Sequence, residues 1–221
     1  MTLATDRRLL PPAWWPLAGF AWVCSVLVLG WLAWQLHRTG SGGRIDLALD
    51  GRLADRLSSH GRLLDALSQL GSPQFVVAAS ALLALLATSL HWWRGVAFSL
   101  LGAPLAGAVT HVLLKPFVSS HAPDGRSLAF PSGHTTGAFG VALVLTVLLL
   151  PRAGSPTVLR TALRLLLGLV ALSLAAGTAI SVVALGFHRT TDAVGGFATA
   201  ILVVLAVAGV LDLAAGRRAR P

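Results

Sequence analysis

Phe130-Pro131-Ser132-Gly133-His134-Thr135-Thr136 opens an apolar run that reaches Leu150. Upstream lies a polar loop, 115–130, that begins with the only lysine of the chain, Lys115. Serine is a favourable helix N-cap, and glycine lets a ligand approach the backbone. Ser132 and Gly133 therefore read as the start of a helix whose free N–H groups and positive dipole end favour an anion. His134 falls in the first turn, where an imidazolium can donate a proton to a leaving oxygen. The run behind it approaches the roughly 20 apolar residues that a membrane-crossing helix needs.

The rest of the chain supports a membrane reading. Of 221 residues, 55% are hydrophobic and 11% charged, with a mean hydropathy of +0.78. Soluble domains carry about 25% charged residues. Apolar runs recur at about 17–36, 73–90, 95–114, 132–150, 161–185 and 192–213. Segments in lipid must satisfy their backbone hydrogen bonds internally, so these runs are helices. The expected fold is all-α: a polytopic bundle of six transmembrane helices forming one integral-membrane domain over 1–221, with its functional core at 115–192. The first run is long for a signal peptide and no small-x-small cleavage site follows it, so it is read as an uncleaved span. Trp14, Trp15, Trp31 and Trp34 flank it as interfacial anchors. Between the first two runs, Leu49, Leu53 and Leu57 repeat among Asp46, Asp50, Arg52, Asp55 and Arg56. This predicts a short amphipathic helix that either lies on the membrane surface or covers the bundle end.

The net charge of +9 is dispersed over the chain, which argues against nucleic acid as a partner and for membrane orientation. Six spans place Arg7, Arg8, Arg94, Arg152, Arg160, Arg164 and the tail arginines Arg217, Arg218 and Arg220 on one side. Both termini are therefore expected in the cytoplasm. The same topology brings the 115–134 region and the 187–192 region together on the extracytoplasmic face. The single cysteine, Cys24, excludes an intrachain disulfide. Nothing in the sequence indicates an oligomeric state.

The second polar cluster contains His188 and Asp192, four residues apart. At a helix start that spacing puts both on one face. A carboxylate that fixes one imidazole nitrogen leaves the other free as a nucleophile or base. Ser181 lies two helical turns earlier and offers a hydroxyl. Lys115 is read as a phosphate-binding group, and His111, one turn before it, as a supporting residue on the same face. The histidine and aspartate spacings match no zinc signature, so no metal and no cofactor are expected.

These residues resemble the type 2 phosphatidic acid phosphatase superfamily, which also includes bacterial undecaprenyl-diphosphate phosphatases and, more distantly, vanadium haloperoxidases. The family pattern is K-x6-R-P, then PSGH, then S-R-x5-H-x3-D. This chain carries Lys115 and Pro123, the whole of Pro131–His134, and Ser181, His188 and Asp192. The resemblance implies His188 as the nucleophile that forms a phosphohistidine, Asp192 as its orienting partner and His134 as the general acid. It implies that Lys115, Ser132, the Gly133 backbone and Ser181 hold the phosphate. The implied activity is metal-independent hydrolysis of a lipid phosphate or diphosphate, of polyprenyl or diacylglycerol type, drawn from the bilayer. At both arginine positions the chain departs from the pattern, with Ala122 and Val182. Two charge-assisted phosphate contacts, each worth roughly 1.5–3 kcal/mol, are thereby missing. Arg126 is the expected replacement, with His121 and Arg189 as neighbouring candidates. The missing arginines also motivate an alternative, a non-catalytic protein of the same fold that binds or transports a lipid phosphate.

Overall fold

The computed structural model describes residues 8–39, 43–120, 128–151 and 157–218. It is all-helical among these residues, with eight helices. After a short turn at Pro12–Trp14, α1 spans Trp15–Thr39. Two short helices follow, α2 (Arg44–Leu57) and α3 (Gly61–Gln69). The helix α4 (Pro73–Ser89) begins with proline at its first position, and the Ser72 hydroxyl accepts the Phe75 N–H. These are the residue types that a helix start favours. Then come α5 (Trp93–Val118), α6 (Gly133–Leu149), α7 (Val158–Ala184) and α8 (Thr190–Arg218).

Four stretches are long and apolar enough to cross a membrane: Pro12–Thr39, α5, α7 and Thr190–Gly216. The helix α4 joins them only if it is counted with the preceding 46–69 segment, from which it bends by 50°. The helix α6 has 17 residues. At 1.5 Å per residue it is about 26 Å long, short of the ~30 Å hydrocarbon layer. By length, then, four or five spans qualify where six apolar runs were expected, although a helix occupies each of the six runs. The chain is a multi-pass helical membrane protein. Its outer surface is apolar: Phe20, Leu27, Leu85, Val112 and Phe117 are all exposed.

The interior is built from small and hydroxylated residues. Ser99 and Thr199 are fully buried and donate to carbonyls four residues back, those of Gly95 and Gly195. A hydroxyl satisfied within its own helix is compatible with an apolar interior. The Thr110 hydroxyl donates to that of Thr136, a buried link between α5 and α6. At the end of the bundle holding the N-terminal segment, buried Asp212 of α8 accepts the N–H groups of Leu9 and Leu10, both at 2.9 Å. Arg94, at the start of α5, approaches the same carboxylate at 3.3 Å. One acidic side chain thus fastens the N-terminal segment and α5 to α8, a role the sequence pattern did not announce.

At the other end, α6 and α8 begin almost in contact. The Ser132 N–H donates to the Asp192 carbonyl at 2.9 Å. Glycines permit this approach. A Cβ on Gly196 would lie 2.6 Å from the Ser132 carbonyl oxygen and 2.9 Å from Thr135 Cβ. One on Gly195 would overlap the ring of Phe130, which is fully buried against Leu29, Leu32, Leu36 and Val118.

Gly196→Ala therefore forces backbone against backbone. It should cost at least the upper end of the ~1–3 kcal/mol typical of overpacking, read as a lowered unfolding temperature in detergent. Gly209→Ala, on the same helix with open space around its Cβ position, should be neutral or slightly stabilising, by up to about 1 kcal/mol.

Candidate active site

The Ser132 Oγ caps α6, accepting the Thr135 N–H at 3.3 Å and the Thr135 hydroxyl at 3.2 Å. Ser132 is fully buried, and the lone pairs of its hydroxyl oxygen shape the helix start. The first N–H groups of α6 have no partner within the helix, and Gly133 and His134 both line an adjoining cavity of about 610 Å³.

His188 lines the same cavity. The chain leaves α7 through Gly186, whose φ of +73° lies in the left-handed region that favours glycine. The N–H groups of Phe187 and His188 then both donate to the Val182 carbonyl, at 3.0 and 3.2 Å. This wrapped turn fixes the backbone of His188 two residues before α8. The His188 Nδ1 stands 3.7 Å from Asp192 Oδ2, beyond hydrogen-bond length. Nδ1 and Asp192 Oδ1 are buried without a hydrogen-bond partner. Unliganded sites commonly hold such pairs loosely, and a closure of a few tenths of an ångström makes the bond. Asp192 is fully buried, and its Oδ2 also accepts the Arg189 N–H at 2.9 Å.

Two more carboxylates complete the start of α8. Asp50 accepts the N–H and hydroxyl of Thr190, at 3.1 and 2.7 Å. Asp46 does the same for Thr191, at 2.9 and 2.8 Å. Both acids belong to α2. This helix therefore turns its acidic face inward and clamps the segment between His188 and Asp192; it covers the bundle end. Burial holds the Asp50 carboxyl above its usual range, opposed by its bonds to Thr190. Sequence reading missed both acids as site components, although their four-residue spacing puts them on one helix face.

Lys115 lines the cavity, and its Nζ donates to the Leu128 carbonyl at 2.7 Å. His111 lines it too. It sits in a π-helical stretch of α5, Val109–Leu114, where the Lys115 N–H reaches back five residues to the Thr110 carbonyl. Wide turns of this kind often mark functional sites. Ser181 stands apart: it is fully buried, its hydroxyl donates to the Thr178 carbonyl at 2.8 Å, and it is not part of the cavity wall. Val182 is completely buried. Arg189 is half-buried with an unpartnered Nη1 and does not line the cavity. Arg126, with His121, Ala122 and Pro123, lies outside the described residues.

Beyond its polar mouth the cavity has apolar walls, with Val76 and Val77 of α4 and Ala103 and Pro104 of α5. Ala103 is twelve residues before Lys115, so the cavity runs about 18 Å along α5.

A family model described as the PAP2 superfamily matches residues 97–213, more than half of the chain and all of α6 and α7. The chain belongs to the PAP2 superfamily. The fold agrees: a crystal structure described as the first transmembrane PAP2 type phosphatidylglycerolphosphate phosphatase from Bacillus subtilis superposes with a TM-score of 0.65 at 20% identity, over 85% of this chain and 94% of that one. No curated protein matches. Within this PAP2 fold, His134 and His188 line one cavity, Asp192 lies buried behind His188, and α2 braces the segment between His188 and Asp192.

Asp46→Ala or Asp50→Ala should each lower stability by ~1.5–3 kcal/mol, the scale of hydrogen bonds to a charged group. Asp55→Ala, exposed on the same helix, should stay within ~0.5 kcal/mol of wild type. Thermal or denaturant unfolding in detergent measures both.

Proposed function

We propose that this protein is an integral-membrane phosphatase acting on a lipid phosphate or diphosphate. The observation that carries the reading is that His134 and His188, 54 residues apart in sequence, line one cavity together with Lys115 and the apolar residues Val76, Val77 and Ala103. A phosphate headgroup matches the cationic end, and an acyl or prenyl chain matches the apolar extension. Polyprenyl and diacylglycerol phosphates both fit that description. Phosphatidylglycerolphosphate, named for the similar Bacillus subtilis structure, is of the second kind.

Nδ1 of His188 faces Asp192, which leaves Nε2 as the nucleophile. It attacks phosphorus, the N–P bond forms and the P–O bond to the lipid breaks. His134 gives its proton to the departing lipid oxygen. A water then attacks the phosphohistidine while His134 takes its proton, the N–P bond breaks, and inorganic phosphate leaves with both histidines restored. The α6 N-terminus, with Gly133, and Lys115 hold the phosphoryl oxygens through both steps. Every charge in this scheme comes from protein groups, so no divalent metal is needed. Arg94 and Arg160, at the ends of α5 and α7 away from the cavity, support cytoplasmic termini and an extracytoplasmic site.

Phosphate release from purified protein with a panel of lipid phosphates tests the reading. His188→Ala should abolish turnover, and His134→Ala should lower it by roughly 10²–10⁴-fold, the usual scale of general acid catalysis. Full turnover in His188→Ala would sink the mechanism. Lipid binding without turnover in the wild type would favour a carrier of lipid phosphate. Activity should survive EDTA, and a loss restored by a divalent cation would refute metal independence.

A further inference from the structure

We propose that His111 is a direct phosphate-binding residue, one that seats a phosphoryl oxygen against the first turn of α6. The proposal rests on the reading that this cavity receives a phosphoryl group, and it names a further hydrogen-bond donor to that group. Among the described residues, no arginine lines the cavity; its cationic and imidazole groups are Lys115, His111, His134 and His188. On the proposed mechanism His134 and His188 are committed to proton and phosphoryl transfer. The hydroxyls of Ser132 and Ser181 are turned to their own helices. Lys115 divides its donors between the cavity and the Leu128 carbonyl. The groups left to hold the oxygens are few, and His111 is one of them.

Its position is specific. A Cβ on Gly133 would lie 2.7 Å from His111 Nε2 and 3.0 Å from its Cε1. The imidazole is thus packed directly over the residue that opens α6, in the space that any other side chain at 133 would occupy. His111, Gly133 and His134 line the same cavity, so an anion seated at that helix start meets the ring. The π-helical turn carries His111 and ends where Lys115 begins, so one local distortion of α5 presents both groups to the cavity. This role lies outside the motif residues by which the resemblance was drawn: His111 precedes the first of them by four positions.

Gly133 supplies a second handle. Because the atoms it would meet belong to the ring end of a side chain, Gly133→Ala should displace His111 and leave the helix in place. The experiment measures inorganic phosphate affinity by titration calorimetry in detergent, alongside phosphate release from the lipid panel. His111→Ala should weaken phosphate binding by about 10- to 100-fold, the effect of losing one charge-assisted contact. KM should rise with it more than kcat falls. His111→Gln, which retains an N–H donor, should recover part of the loss, and the unfolding temperature without phosphate should stay near that of wild type. Gly133→Ala should weaken binding too, and the double variant should be no worse than His111→Ala alone. Unchanged phosphate affinity in His111→Ala overturns the proposal, as does a double variant whose losses simply add. A wild type that binds phosphate through His111 yet turns over no lipid phosphate overturns the enzymatic reading and leaves this one standing. A wild type with no measurable phosphate affinity at millimolar concentrations overturns both.

Discussion

The hydrogen bond from the Ser132 N–H to the Asp192 carbonyl is the constraint on which the rest of the site depends. Two helix starts are joined there backbone to backbone through residues 60 apart in sequence. Main chains approach this closely only where side chains are missing, and Gly195 and Gly196 supply that gap on α8. Phe130 then fills the groove above Gly195 and ties the junction to α1 through Leu29, Leu32 and Leu36. Once the junction is made, His134 and His188 have little choice of position. Each lies within a few residues of the shared bond, one on each side, and both come to face the cavity between α4, α5 and α6.

Two positive helix ends meet at this junction, and the protein treats them differently. The start of α8 is covered by carboxylates: Asp192 takes the Arg189 N–H, Asp50 that of Thr190 and Asp46 that of Thr191. Acids at a helix N-terminus satisfy orphan donors and complement the dipole. The start of α6 receives only the neutral oxygen of Ser132. Its remaining N–H groups and its dipole stay available beside Lys115, His111 and His134. The junction is thus polarised, with an acidic bracket behind His188 and a basic cradle in front of it. An anion is favoured on one side alone. On the proposed mechanism that is the side from which a phosphoryl group meets His188 in line.

Much of this was legible in the sequence, for identifiable reasons. Long apolar runs have one structural solution in lipid, so the helical class and the helix positions followed from hydropathy. Ser132 and Gly133 mark the start of α6 because capping chemistry is local. The pairing of the two clusters followed from helix alternation. Features that depend on what faces what did not follow. The spacing of Asp46 and Asp50 shows an acidic face on α2, yet nothing in the pattern says whether it meets solvent or the start of α8. Ser181 has the right spacing for the site, but its hydroxyl is spent on the Thr178 carbonyl because the rotation of α7 about its axis is set by packing. The π-helical turn that presents His111 is a register shift within an apolar run, invisible to a reading based on regular helical period. The number of crossings also depends on more than composition, since α6 is two or three residues short of a full span.

The shortness of α6 has a physical reading. A helix of about 26 Å that shares one end of the bundle with its neighbours must stop below them at the other. At the end that carries Ser132 and His134, α5 runs on to Val118, whereas α8 begins level with α6 through the Ser132–Asp192 bond and outruns it at the opposite end. Charged groups lining the cavity feel a lower dielectric than in bulk water, so each contact to a phosphate counts for more. On the proposed function, a substrate held in the bilayer by its apolar chain presents its phosphate to these groups without leaving the membrane. The glycines at the junction and the acidic bracket from α2 then serve a single end. They hold a small number of donors together beside the apolar cavity that would take the lipid chain.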